Sequence, residues 1–422
     1  MKLKILLKIV VINLALFILL LLITSIVLRY FIINDNAQKL KHSNLYNSNI
    51  IRATYPVYDD IPVDDAINLF TDYAGPKTTY YPFLGWRRNE YKGKSVNIID
   101  KDLRVRDSIN HNIENSTWFF GGSTMWGTGS DDKNTIPSHY AKLTGENVLN
   151  LGESSYLSFQ EYTQLSMLLA KGYKPKKVIF YDGVNESYYC NTNNNQFPTH
   201  SRAEKWEEYI ERYPRLRNKY KKLKNKVKLN TMDDSIKMNI NLLTQYFELP
   251  YVMMYKKIFN KTVIGADTTS GVNPLNVDIP MTEYTKKRKY KNCDLSLEKV
   301  TKATETTVNT WLMAHDLIES MGIDFYVFLQ PTSQVSQSVL KLDYLIDKEK
   351  QRIADEEDSY KAQYTSIKKI WLEKCELHKA CDSFFDISNL FDGIDKPIYI
   401  DAVHIGPSGN EIVASEISRS IN

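Results

Sequence analysis

The chain has 422 residues, 43% of them hydrophobic, 25% charged and four of them cysteine. That composition excludes wholesale disorder or a collagen-like repeat, and the length suits one large decorated domain or two smaller ones. Lysine and arginine number 54 against 50 acidic residues, but Lys2, Lys4, Lys8 and Arg29 lie in the first 33 positions, which hold no acid; the neutral remainder argues against nucleic acid as a partner.

Between Lys8 and Arg29 runs IVVINLALFILLLLITSIVL, 20 residues without a charge. At about 1.5 Å per residue, such a helix spans the ~30 Å hydrocarbon core of a bilayer. The lysines before it put the N-terminus in the cytoplasm and the rest in the periplasm or outside the cell. A cleaved signal peptide has a shorter apolar core and a small-residue cleavage site, whereas ITSIVLRYFI is bulky throughout. Residues 1–33 therefore read as a retained, single-pass transmembrane anchor.

Residues 34–115 form a polar, aromatic linker and N-terminal extension ending in YYPFLGWRRNEYKGKSVNIID. Pro82, Gly85 and Gly93 divide that stretch into short strands and turns. From 116 to 422 the pattern alternates. STWFF (116–120), VLNLG (148–152), KKVIFYDG (176–183), IDFYVFLQP (323–331) and SFFDIS (383–388) are five short apolar runs that read as buried strands. Helical spacing lies between them: Ile136, Tyr140 and Leu143; a Ser158/Glu161 capping box ahead of Leu165, Leu168 and Leu169; Val308, Trp311, Leu312 and His315; and a Ser408/Glu411 cap on the last helix. His315, on an apolar stripe, reads as a core residue. Strands alternating with helices imply a parallel sheet covered on both faces, with ligands bound beyond the carboxyl ends of the strands.

A long helical insertion at about 190–300 breaks the rhythm. From Arg202 to Lys228 it carries eleven basic and four acidic residues, with Leu216, Tyr220, Leu223 and Val227 on one helical face. Such a helix packs through that stripe with its charges in solvent, or lays them on anionic lipid or glycan. Residues 339–375 read as another long surface helix or helix pair. Cys190, Cys293, Cys375 and Cys381 are even in number and on the exported side, which suits structural bridges or buried thiols; three pairings are open.

The chemistry gathers where strands end. The first runs into Gly121-Gly122-Ser123-Thr124-Met125-Trp126-Gly127, which exposes a serine hydroxyl on a glycine-flanked turn. The second ends at Gly152 and the third at Gly183-Val184-Asn185, an amide donor on the same edge. Near the C-terminus, Asp401 stands three residues before His404, where a carboxylate can orient the ring and stabilise its cation. Ser, Gly, Asn, then Asp-x-x-His, each after an apolar run, is a far stronger signal than any one of them. Tyr80, Tyr81, Trp126, Tyr188 and Tyr189 are candidates for stacking on sugar rings, with ordinary packing as the alternative.

In this order the blocks GGSTMWG, NLGESS, GVNES and DAVH resemble the SGNH (GDSL-like) hydrolase superfamily over roughly residues 116–190 and 323–421. The resemblance implies a flavodoxin-like three-layer α/β sandwich with a five-stranded parallel sheet. It implies Ser123 as nucleophile, His404 as base and Asp401 as its partner. The oxyanion hole would be formed by Ser123, Gly152 and Asn185, with no metal or organic cofactor. PFLGWRR and VNIID are similar to membrane-anchored members associated with bacterial surface polysaccharides. Gly122 and Glu186 depart from the family's usual aspartates. The implied activity is removal of O-acetyl groups from an acylated carbohydrate through an acyl-serine. Two alternatives share the residues: an O-acyltransferase working beside a membrane acyl-donor protein, and an inactive glycan-binding or assembly protein.

Overall fold

In a computed structural model the chain is described at residues 50–99, 103–187, 297–336 and 342–421, and at the isolated position 13. Apart from position 13, residues 1–33, expected as a membrane anchor, lie outside the described residues, as do the expected insertion up to residue 296, Cys190, Cys293, Tyr188 and Tyr189. Among the described residues, no helix is long and apolar enough to cross a membrane.

A single turn at Pro56–Tyr58 precedes α1 (Val63–Ala74), a helix that the sequence reading did not mark. A hairpin of β1 (Thr78–Tyr81) and β2 (Gly85–Arg88) follows, then the short strands β3 (Tyr91–Lys92), β4 (Asn97–Ile99) and β5 (Val105–Arg106). The alternating part runs β6 (Ser116–Gly121), α2 (Ser123–Trp126), α3 (Ile136–Thr144), β7 (Asn147–Asn150), α4 (Ser158–Ala170) and β8 (Lys177–Asp182). It continues with α5 (Leu297–Glu319), β9 (Asp324–Leu329), α6 (Asp347–Lys374), β10 (Phe384–Asp386) and α7 (Pro407–Ile421).

Among the described residues the main sheet has eight strands in the order β10-β9-β8-β6-β7-β5-β4-β3. Pairings from β10 to β7 are parallel, whereas β7–β5, β5–β4 and β4–β3 are antiparallel. The five apolar runs supply the parallel strands. The three extra strands come from the N-terminal extension and are two or three residues long, too short to show a period in the sequence. Counted along the chain, the parallel strands lie in the spatial order 2-1-3-4-5, whose direction reverses between β6 and β8; clefts in such sheets open at that reversal.

Buried parallel strands need apolar residues on both faces, and β6 and β8 are buried throughout. Side chains alternate, so Trp118, Phe120, Val178 and Phe180 pack with Leu165, Trp311, Ile367 and Trp371 from α4, α5 and α6. On the other face, Phe119, Ile179 and Tyr181 meet Ile136, Tyr140, Val413 and Ile417 from α3 and α7. Residues 347–374 form one long helix, as expected of a surface helix, with one side buried against this core.

Local expectations need correction at three points. Leu143 is 54% exposed, because α3 turns only Ile136 and Tyr140 onto the sheet. Ser158 does not cap α4: the helix starts there after Leu157, whose N–H is taken by Gln160 Oε1 at 3.2 Å. Likewise α7 begins at Pro407, inside which Ser408 is already helical. His315 is buried edge-on against Phe325, as its stripe implied. Cys375 and Cys381 form a disulfide closing the loop after α6.

Phe120 is fully buried with its ring 5.2 Å from that of Phe180 at the centre of this core. Phe120→Ala should cost about 3–5 kcal/mol, measured as a fall in the denaturant midpoint with the slope unchanged.

Candidate active site

Three chain segments cross the carboxyl edge of the sheet, and burial singles out one residue in each. From Ser116 to Ser130 every residue is buried except Ser123. From Lys177 to Ser187 the exception is Asn185, and from Ile398 to Gly406 it is His404. Each protrudes from an otherwise packed segment.

Ser123 opens α2, so its N–H has no acceptor within that helix. The helix lasts one turn, because Gly127 takes φ +96° and returns its N–H to the carbonyls of Ser123 and Thr124. His404 sits in a loop pinned at both ends: Tyr399 bridges Ile405, and Ile400 N donates to His404 O at 2.9 Å. Within that loop Asp401 Oδ1 accepts from the N–H groups of Val403 and His404 at 3.0 and 2.9 Å. The carboxylate therefore fixes the backbone that carries the histidine as well as the ring.

The parts meet in a continuous relay. Ser123 Oγ lies 2.6 Å from His404 Nε2, and His404 Nδ1 lies 2.8 and 2.9 Å from the two oxygens of Asp401. Burial pushes the Asp401 carboxyl upward, yet His404, its hydrogen bond, and the charges of Arg52 and Arg352 outweigh this and hold it well below the usual carboxylate range. Arg52 Nη2 is 3.6 Å from Asp401 Oδ2, a contact the sequence did not announce because nothing marks one arginine in the N-terminal extension.

Asn185 approaches from β8. Gly183 takes φ +129°, and a side chain there would run into the Tyr364 hydroxyl. Its neighbour Glu186 accepts from the N–H groups of Gly183 and Ser158 at 2.9 and 2.8 Å, bracing both flanks of the loop. Asn185 Nδ2 donates to Tyr156 O at 2.7 Å, which uses one of its two amide protons and leaves the other. That nitrogen lies against Gly122, where any Cβ would collide with it. A glycine at position 122 is thus what lets the asparagine reach the serine turn.

Gly152 is placed differently from expectation. Its single N–H donates to Asn150 Oδ1 at 3.1 Å, and Asn150 Nδ2 donates to Met125 O at the same distance. The N–H expected from Gly152 in the oxyanion hole is thus engaged by a side chain of its own strand in this structure, and the position also supplies room. A Cβ there would stand 2.6 Å from Trp126 N, so only glycine lets β7 lie against α2.

Trp126 is also corrected as a sugar-stacking candidate. It is 2% exposed, with the guanidinium carbons of Arg88 and Arg106 at 4.1 and 4.4 Å from its ring. Arg88 binds the Glu153 carboxylate and Ser154 Oγ, while Arg106 binds Asp132 at 2.6 Å and the carbonyls of Trp126 and Ser130. This layer clamps α2 from below. Tyr80 is 39% exposed on the hairpin, and Tyr81 is half-buried. Among the described residues, no group of three or more His, Cys, Asp or Glu side chains is arranged to hold a metal ion.

No protein-family model matches the chain, and no curated protein matches it. Among solved structures, one that matches is a Desulfitobacterium hafniense DCB-2 protein whose name assigns it to the G-D-S-L lipolytic family. It is 11% identical, covering 74% of this chain and 100% of that one at a TM-score of 0.31. A likeness that low carries no weight for function.

Two outcomes follow from the geometry. Gly152→Ala should lower stability by about 1–3 kcal/mol through overpacking against α2, read as a lower thermal midpoint. The depressed Asp401 carboxyl stabilises the fold fully above the ordinary unfolded value near pH ~4, and that contribution fades as pH falls. The stability advantage of the wild type over Asp401→Asn should therefore shrink between about pH 5 and pH 2 in urea unfolding.

Proposed function

We propose that the chain is a serine ester hydrolase working through an acyl-Ser123 intermediate. The observation that carries this reading is the unbroken contact from Ser123 Oγ through His404 to Asp401, with the serine and histidine both open to solvent. A serine hydroxyl is a weak nucleophile until a base takes its proton, and His404 Nε2 is within reach to do so. As the proton arrives the ring becomes cationic, and the ionised Asp401 beside Nδ1 balances that charge. Negative charge then grows on the former carbonyl oxygen. The Ser123 N–H and the remaining Asn185 amide proton are the donors available to it. Collapse expels the alcohol, protonated by His404, and water repeats the cycle on the acyl-enzyme.

The substrate proposed is an O-acetylated cell-surface carbohydrate, with residues 1–33 as a membrane anchor that keeps the catalytic unit outside the cytoplasm. Its support is the anchor-like sequence and the resemblance of the N-terminal extension to polysaccharide-associated proteins. The same residues serve an O-acyltransferase if a sugar hydroxyl replaces water. Incubating the protein with an acetylated glycan separates the two: free acetate marks the esterase, and acetyl groups moved between sugars mark the transferase.

Ser123→Ala and His404→Ala should each remove nearly all turnover of a small acetyl ester, and the double variant should lose little more. Asn185→Ala should cost on the order of a hundredfold, since one donor remains. A folded Ser123→Ala protein with near-normal turnover would refute the acyl-serine mechanism.

A further inference from the structure

The N-terminal extension reaches the relay itself. Its backbone is helical at 50–53, and Arg52 stands on that turn. Just after it, Ala53, Tyr55 and Tyr58 pack with Leu69 and Phe70 of α1 and with Ile400, the neighbour of Asp401. Tyr58 donates its hydroxyl to Gly129 O at 2.8 Å, beyond the serine turn. Val57 lies so close to Gly406 that a side chain there would collide with it. The segment is thus seated on both loops that carry the reacting residues, and Arg52 is held beside Asp401 as a result.

Asp401 Oδ2 faces two cationic side chains, His404 Nδ1 at 2.8 Å and Arg52 Nη2 at 3.6 Å. The longer distance is that of a charge contact rather than a hydrogen bond. Two groups of α6 also face this loop. Glu349 Oε2 accepts from Ala402 N at 3.3 Å, and Arg352 Nη1 lies 3.8 Å from the same oxygen. Arg352 Nε is 3.2 Å from Glu356, so its charge is matched by two carboxylates on its own helix. Arg52 has no such pair of its own. Burial pushes its guanidinium down, but Asp401 and then Glu349 outweigh this and hold it above its ordinary range. The phenols of Tyr55 and, on α1, Tyr73 also face it.

A relay of this kind has conflicting needs. The carboxylate that stabilises the cationic ring during proton transfer also stabilises it at rest, where a protonated ring cannot accept the serine proton. A fixed cation on the carboxylate offsets part of that attraction. We propose that Arg52 is a positioning residue of the relay, acting through Asp401: its charge keeps the His404 ring neutral, and so able to take the Ser123 proton, at lower pH than Asp401 alone would allow. Its effect on turnover rests on the ester-hydrolase reading; the coupling of Arg52 to His404 does not. The N-terminal extension thereby supplies a working part of the site.

The test is the pH dependence of kcat/KM for 4-nitrophenyl acetate with the full chain, between about pH 5 and pH 9, where the acid limb reports the base of the free enzyme. Without the Arg52 charge the ring holds its proton longer as pH rises. In Arg52→Gln the limb should therefore move to higher pH by ~0.5–1 unit, with the plateau within about twofold of the wild type. Arg52→Lys keeps the charge and should return the limb, while Arg419→Gln, on the exposed face of α7, should not move it. An equal loss at every pH, or a limb that stays in place, would mean a purely structural role and would overturn the proposal. Titrating the ring protons of His404 by NMR, identified by their absence in His404→Gln, reads the same shift without turnover. Unchanged turnover in Ser123→Ala would remove the hydrolase reading alone. The NMR midpoint then decides: higher in Arg52→Gln supports the coupling, and unmoved overturns it. Arg52→Met serves in place of Arg52→Gln should the latter not fold, since it keeps an apolar stem in a segment packed through Ala53, Tyr55 and Tyr58.

Discussion

The hydrogen bond between Ser123 and His404 joins residues 281 positions apart, and much of the described structure serves to make it possible. Neither side chain is held by anything local to the other. The serine hangs on the turn after β6, and the histidine on a closed loop before α7. A parallel sheet solves this by construction: every strand delivers its carboxyl end to the same edge, whatever its place in the chain. The apolar layers on both faces are what hold that edge flat and fixed.

Precision at the edge comes from polar groups that are buried and matched. Asp401 accepts two backbone N–H groups besides the imidazole, so the same carboxylate shapes the loop and orients the ring. Glu186 does the same for the Asn185 loop by tying Gly183 to Ser158. Beneath α2, the Trp126 ring lies between two guanidiniums whose carboxylate partners, Glu153 and Asp132, prevent uncompensated charge. Burial, joined by the like charge of Arg88, pulls the Arg106 guanidinium down from its ordinary range, against the opposing pull of Asp132. Removing one partner from such a pair leaves a charge stranded, which makes these clamps specific rather than merely adhesive.

Gly122 and Glu186, the two positions that differ from the motifs the sequence resembles, have structural accounts. At 122 the approach of Asn185 forbids any side chain. At 186 the added methylene of glutamate over aspartate accompanies a reach to two amides on different elements. Burial keeps the Glu186, Asp182 and Glu161 carboxyls above their ordinary range, with their mutual charges adding to it for the latter two.

What the sequence determined by itself was the residue types of the candidate site and the five parallel strands of the sheet. Ser123 and Asn185 were legible because each follows an apolar run that buries itself as a strand, and Asp401 and His404 because a carboxylate stands three residues before a histidine after PIYI, which forms a loop with one bridge rather than a strand. The N-terminal extension was harder to read: α1 lacks a strong cap, and β3 to β5 are too short for periodicity to show. The surroundings of Gly152, Trp126 and Arg52 were decided only by the tertiary structure. Each depends on which group from a distant segment arrives beside it: α2 for the glycine, two arginines for the tryptophan, and the Asp401 carboxylate for Arg52. Chemical type is a local property and survives in the sequence; whether a donor is free, a ring exposed or a charge matched belongs to the packing of the whole sheet.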